Sequence, residues 1–253
     1  MYKKFIEGKK VVCFDLDGTI ANTMPLHVAA FEKILALANP GLALPAVYGR
    51  VGESLTYKWG RIADNNLVKN NMTVKDLVDN THNEFLRLLS ENELEPRPGF
   101  WNLLEEVRSL GLKTALATNT QKAVAMQIAS KLDIAGAFDF MIFGDECKKY
   151  KPDPEIYLKV ASQFGVKPQE MLVFEDSIEG ATSAQKSGAS FIVIWDTQTD
   201  QKLFPTGALA FTDDFEGIAE NLDYTPEELI QNFQQRVSAW ESQQTQKQPR
   251  SET

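Results

Sequence analysis

The stretch "VVCFDLDGT", Val11–Thr19, decides how the rest of the chain is read. Its front is an unbroken apolar run with β-branched and aromatic residues, the signature of a strand buried on both faces. The run ends in two carboxylates, Asp15 and Asp17, followed at once by Gly18-Thr19. Strands of this kind belong to parallel sheets, and open parallel sheets bind ligands beyond the carboxyl ends of their strands. Two aspartates spaced two apart on an extended segment lie on the same side of it.

Working outward, the pattern after Gly99 alternates. "FWNLLEEVRSLG" reads as a helix stopped by Gly111, "LKTALAT" (112–118) as a strand, "QKAVAMQIASKL" as a helix and "FDFMIFG" (138–144) as a strand. "PEIYLKVASQFG" is a helix opened by Pro154 and closed by Gly165. "MLVFED" (171–176) and "SFIVIWD" (190–196) are strands flanking the helix "IEGATSAQKSG". Alternating strands and helices imply a parallel sheet covered on both faces. Between the first strand and "EPRPGF" (95–100), apolar residues fall only at helical spacing. The expected fold is therefore α/β: a core from residues 1–20 and 96–221, an all-helical insertion over 21–95, and a tail, 222–253. That tail holds one helix (225–240) and then a polar, Gln-rich end with the composition of a disordered segment.

The chain has 253 residues, 43% of them hydrophobic, enough for a buried core. Lys and Arg total 26 against 35 Asp and Glu, a net charge of −9. That balance argues against nucleic-acid or anionic-membrane binding, and any anion site must be built locally. Two cysteines make no disulfide framework, and Cys13, inside the first strand, is read as core. No apolar run of about 7–15 residues follows the N-terminal lysines, and none of about 18 occurs anywhere. The expectation is a soluble cytoplasmic protein.

The strand ends deliver a concentrated set of groups. The first brings Asp15 and Asp17, the second Thr118-Asn119-Thr120, and "MLVFEDS" brings Glu175 and Asp176. The loop after the third brings Lys151. Singly, each has a bland reading: a turn or cap aspartate, a helix-capping threonine, a solvated lysine. Together, Asp15, Glu175 and Asp176 would repel strongly unless a cation joined them. An all-oxygen, carboxylate-rich site suits a hard divalent ion such as Mg²⁺.

"DLDGT", "ATNT", "YKPDP" and "FEDS", in this order, resemble the four motifs of the haloacid dehalogenase superfamily. The helical insertion is similar to the small cap of its subfamily I, near β-phosphoglucomutase and the sugar-phosphate and phosphoglycolate phosphatases. The resemblance spans residues 9–215 and implies a three-layer, Rossmann-like core with an inserted cap. It implies a Mg²⁺-dependent phosphatase of small phosphorylated metabolites acting through an aspartyl-phosphate. A phosphomutase and a non-catalytic binding protein are the alternatives, and a monomer is the expectation. Asp15 is then the nucleophile and Asp17 the acid and base, its pKa needing to be raised by burial or closure. Gly18 lets the chain turn sharply away. Thr118, the Asn119 backbone N–H and Lys151 hold the phosphoryl group. Asp15, the Asp17 carbonyl, Glu175 and Asp176 hold the metal.

The cap implied by the resemblance would choose the substrate. His27 is either a group near the leaving oxygen or a residue packed against the cap. "GRVGESL" (49–55) resembles the cap's specificity loop, with Gly52 at the position of the mutase's phosphate-binding arginine. Arg50 is the candidate replacement, and the change favours a phosphatase over a mutase. Glu53 either binds substrate hydroxyls or is a solvated helix-start residue. Trp59, Phe85, Phe100, Trp101 and Phe191 are read as core and His82 as surface, while Arg97 either meets the substrate phosphate or, the favoured reading, stays in solvent.

Overall fold

The computed structural model describes residues 5–44 and 53–216. Arg50 and the whole 222–253 tail therefore lie outside the described residues. Six strands form one parallel sheet: β1 (Val11–Phe14), β2 (Lys113–Ala117), β3 (Phe140–Ile142), β4 (Met171–Glu175), β5 (Ser190–Ile194) and β6 (Ala208–Thr212). Their spatial order is β3-β2-β1-β4-β5-β6. The chain winds one way from β1 to β3 and then crosses back to β4. The carboxyl ends of β1 and β4 are thus the topological switch point, where such sheets open a crevice.

Alternation along the strands explains their continuous apolar sequence. Val12 and Phe14 of β1, with Leu172 and Phe174 of β4, turn to one face. Val11 and Cys13, with Met171 and Val173, turn to the other. Helices α4 (Phe100–Ser109) and α5 (Lys122–Lys131) cover the first face, and α6 (Glu155–Phe164) and α7 (Ile178–Ser187) the second. This is the expected three-layer α/β arrangement. Phe14 stacks on Phe174 at 5.1 Å and meets Phe100 and Phe215 edge-on at 5.7 and 5.9 Å, which pins the strand that delivers Asp15.

Helices α1 (Met24–Ala38), α2 (Leu55–Asp64) and α3 (Val74–Glu91) lie between β1 and α4 in the chain and share their own apolar cluster. Trp59 stacks on Phe31 at 4.3 Å and donates its indole N–H to Thr81 Oγ1 at 3.0 Å, so its polar edge is satisfied inside that cluster. Ser54 caps α2, and Thr73 and Asp76 form a reciprocal capping box on α3. Thr23 stands at the cap position of α1 without capping it. Its hydroxyl is used elsewhere, as shown below.

Two sequence expectations need correction. The strand β6 is absent from the sequence reading: its residues are mostly half-buried at the sheet edge, so "ALAFT" lacks the strong apolar signature of a central strand. Trp101 is not core but 39% exposed, one position beyond the buried Phe100 on α4. Among the described residues no helix is long and apolar enough to cross a membrane.

Glycines test the packing. A Cβ on Gly180 of α7 would run into the Glu175 carboxylate, whereas one on Gly60 of α2 would meet nothing within 4 Å. Gly180→Ala is expected to cost at least ~2 kcal/mol through overpacking against a buried charge, and Gly60→Ala to gain about 0.5–1 kcal/mol from helix propensity. Chemical denaturation of both variants checks this pair of opposite signs.

Candidate active site

The ammonium of Lys151 sits at the switch point. It donates to Asp15 Oδ1 at 2.6 Å, to Glu175 Oε1 at 2.7 Å and to the Ala117 carbonyl at 2.8 Å, using all three protons. Lys151, Asp15 and Glu175 are all buried. Burial pulls the lysine toward its neutral form, but the charges and hydrogen bonds of Asp15 and Glu175 outweigh it and raise its pKa. Asn119 fixes the loop that carries the lysine: its Oδ1 accepts from the Lys151 N–H at 3.0 Å and its Nδ2 donates to the Lys151 carbonyl at 3.4 Å.

Glu175 is fully engaged. Oε1 also accepts from Tyr157 Oη at 2.6 Å. Oε2 accepts from the Asp176 N–H at 3.1 Å and from the N–H and hydroxyl of Ser177 at 3.4 and 3.2 Å. Ser177 in turn caps α7, accepting from the Gly180 N–H at 3.0 Å. Tyr157 lies on the buried face of α6, where a phenol needs a partner for its hydroxyl. That need was the signal available in "PEIYLKV".

Asp17 lies in a different pocket of donors. Its Oδ1 accepts from Thr23 Oγ1 at 2.7 Å and lies 3.0 Å from His27 Nε2, and its Oδ2 accepts from Thr120 Oγ1 at 2.6 Å and Thr118 Oγ1 at 3.4 Å. The His27 ring is stacked on Phe85 of α3 at 4.0 Å. The ring is therefore packed inside the helical segment on one side and bonded to Asp17 on the other. The expected rise in the Asp17 pKa is not found. Burial does push it up, but the His27 charge and the bonds from His27, Thr120 and Thr23 win, and the carboxyl falls below its usual value.

Ligand atoms of Asp15, Glu175 and Asp176 all lie within 4.8 Å of one another. Burial first, then mutual repulsion, pushes Asp15 up to about 8 despite Lys151, and raises Asp176 as well. With three ionised carboxylates against one ammonium, such a cluster is two positive charges short of neutral, and its hard oxygen donors fit a divalent cation of the Mg²⁺ type. Asp15 and Asp176 are the open donors. Glu175, also expected as a ligand, offers an oxygen to the same cluster while both its oxygens accept hydrogen bonds, and the Asp17 side chain faces its own hydroxyls. Thr19 Oγ1 donates to Asp176 Oδ1 at 3.1 Å. Gly18, at φ +89°, leaves no room for a Cβ against the Asp176 carboxylate, so the turn after the aspartates must be glycine.

A cavity of about 110 Å³ joins Asp15, Asp17, Thr118, Asn119, Lys151 and Asp176 to the helical segment above them. From that side Glu53, Lys58 and the half-buried His82 line it. Glu53 accepts from Arg61 Nη1 at 3.4 Å. Lys58, 3% exposed, escaped the sequence reading because a lysine in an amphipathic helix passes for a solvated face. Burial lowers its pKa to about 8 against the pull of Glu53.

Arg97 is likewise not in solvent. Its Nε donates to the Gly18 carbonyl at 2.9 Å and its Nη1 to the Asp213 carbonyl at 3.1 Å, while its backbone N–H donates to the Ile20 carbonyl at 2.6 Å. One guanidinium thus ties the two connections of the helical segment to the chain beyond β6.

A family model of haloacid dehalogenase-like hydrolases matches residues 12–194. The chain is 33% identical over 211 residues to a phosphorylated carbohydrates phosphatase of Thermotoga maritima, covering 79% of this chain and 93% of that one. It is 29% identical over 192 residues to a phosphoglycolate phosphatase of Nitrosospira multiformis, covering 71% and 80%. Among solved structures, CbbY of Rhodobacter sphaeroides in complex with phosphate superposes with a TM-score of 0.71 at 25% identity, over 84% of this chain and 96% of that one.

Lys151→Met strands two buried carboxylates and is expected to cost ~3–5 kcal/mol. Arg97→Met, which loses two charge-assisted bonds, is expected to cost about 1–3 kcal/mol, with Arg97→Lys recovering only part of it because an ammonium cannot span both carbonyls. Denaturant unfolding of the three variants measures the ranking.

Proposed function

The chain belongs to the haloacid dehalogenase-like hydrolases, and from that premise we propose that it is a Mg²⁺-dependent phosphatase of small phosphorylated metabolites. The observation that carries this reading is the Lys151 ammonium bonded to Asp15 and Glu175, with Asp176 beside them. A nucleophile, a charge for the transferring group and open metal donors stand within reach of one ligand.

In this reading Lys151 holds Asp15 Oδ1 and the other oxygen of Asp15 attacks phosphorus, forming an aspartyl-phosphate as the bond to the leaving alcohol breaks. Thr118 and the N–H groups opening α5 bind the phosphoryl oxygens, and Lys151 neutralises the charge that develops there. Asp15, Asp176 and the Asp17 carbonyl, with Glu175 beside them, would hold Mg²⁺, which would supply further charge neutralisation for the phosphoryl group. Asp17 delivers to the leaving oxygen the proton it shares with His27. It then takes a proton from the water that hydrolyses the intermediate, which returns Asp15 and frees phosphate. Its lowered pKa suits the second role directly. The first depends on His27, 3.0 Å away, as the proton's reservoir. Helices α1–α3 act as the cap that covers the reaction from water.

Two measurements test this. Asp15→Asn is expected to lower turnover at least ~10³-fold on a panel of phosphorylated metabolites, with free phosphate as the product of the native chain. An isomerised sugar phosphate, appearing only with a bisphosphate primer, would instead mark a mutase. The second measurement concerns pH. Without metal, the raised Asp15 pKa means the folded state keeps a proton that the unfolded chain releases near pH ~4. The stability this contributes is whole below that pH and is lost as pH rises through about 8. Mg²⁺ binds the ionised carboxylates, so its increment in melting temperature should be larger at about pH 8.5 than at about pH 5.5. An equal increment at both would speak against metal ligation by this cluster.

A further inference from the structure

Tyr157 stands behind the Lys151–Glu175 pair and does not line the cavity. It is wholly buried on α6, among Ile156, Val160 and Ala161, which carry no side-chain donor. The Lys151 ammonium lies over its ring, 5.1 Å from the centre, and its hydroxyl donates to Glu175 Oε1 at 2.6 Å. A hydroxyl buried this deeply is costly unless it is bonded, and a residue that only filled the core would not need one. Burial first, then the neighbouring Glu175 charge, hold the phenol well above its usual pKa, so it remains a donor.

What that donor does follows from the lone pairs of Glu175. A carboxylate oxygen offers about two of them. On Oε1 Lys151 takes one and Tyr157 the other, while Oε2 accepts from the Asp176 N–H and from Ser177. Lys151 cannot fill both sites on Oε1, because its other protons go to Asp15 and the Ala117 carbonyl. Remove the phenol hydroxyl and Oε1 has a lone pair to give, on a residue that already shares a cluster with Asp15 and Asp176. Mg²⁺ is usually held by about one or two carboxylates and keeps several waters, whereas Ca²⁺ takes about 6–8 oxygens in looser geometry. Whether the cluster presents two carboxylates or three therefore decides which ion it suits.

We propose that Tyr157 is a positioning residue whose hydroxyl holds Glu175 on Lys151 and off the metal, leaving a two-carboxylate site that favours Mg²⁺ over Ca²⁺. The inference rests on the metal site of the phosphatase reading and adds to it a control of ion choice from outside that site. Tyr157 acts only through Glu175.

Tyr157→Phe keeps the ring and its place beside Lys151 and removes only the donor. Calorimetric titration of Mg²⁺ and of Ca²⁺ into the full chain, freed of metal by chelation, reads both affinities without turnover. The native chain is expected to bind Mg²⁺ more tightly than Ca²⁺. In Tyr157→Phe the ratio of the two dissociation constants should move toward Ca²⁺ by about 10-fold or more, through tighter Ca²⁺ binding. With Glu175→Gln already in place, Tyr157→Phe should leave the ratio where it was, since the residue it acts through has lost its charge. Glu175→Gln alone should weaken both ions by like factors, because Glu175 is off the metal in the native chain, and this arm stands even if Tyr157→Phe fails to fold. Melting temperatures without metal identify such a failure. A ratio unchanged within about twofold in folded Tyr157→Phe, a shift that persists beside Glu175→Gln, a ratio moved by Glu175→Gln alone, or a native preference for Ca²⁺ overturns the proposal and leaves the metal site standing. Binding of neither ion to the native chain overturns both.

Discussion

The structure depends on one buried ammonium held between two carboxylates. Lys151 comes from the loop after β3, Asp15 from the end of β1 and Glu175 from the end of β4, so three separate strand ends are fastened at one point. Without the lysine, β1 and β4 would carry like charges side by side into a buried crevice. The fastening is backed on every side: Tyr157 and Ser177 saturate Glu175, Asn119 clamps the Lys151 backbone, and Gly180 leaves the space that the glutamate fills. A buried pair of this kind adds little net stability over an apolar replacement but is costly to break. Its worth lies in presenting Asp15 in one orientation.

A second, independent network holds Asp17. It draws hydroxyls from Thr118 and Thr120 after β2 and Thr23 at the head of α1, with His27 one turn further along that helix. Thr23 forgoes capping its own helix to do so. The two aspartates, two residues apart, consequently live in opposite electrostatic surroundings: Asp15 among carboxylates, Asp17 among donors. Environments that push neighbouring carboxyls apart in pKa are how one site assigns different tasks to identical groups.

Most of the frame was legible from the chain. The apolar runs ending at Asp15 and Asp176 and the alternation of helical and strand spacing led to the central strands, because a strand covered on both faces has no freedom to hide its pattern. Asp15 and Asp176 were legible because their residue types stand at strand ends, and Lys151 because "YKPDP" follows the third strand. What escaped depends on distance in the sequence. Arg97 reads as a solvated residue until the Gly18 and Asp213 carbonyls are brought beside it. Lys58 and His82 read as surface until the fold sets them along the cavity. The direction of the Asp17 shift follows from the donors that surround it, and residue types alone do not give that balance. The edge strand β6 lacks the full burial that makes a pattern readable.

The Ile20 carbonyl and the Arg97 N–H stand 2.6 Å apart, so the helical excursion leaves and rejoins the sheet at practically the same spot. A detour with coincident ends imposes nothing on the wiring of the strands. It can be lengthened, shortened or resurfaced as a cassette while the chemistry beneath stays fixed. Evolution, or a protein engineer, can thus retune selectivity by rewriting one contiguous stretch of the gene.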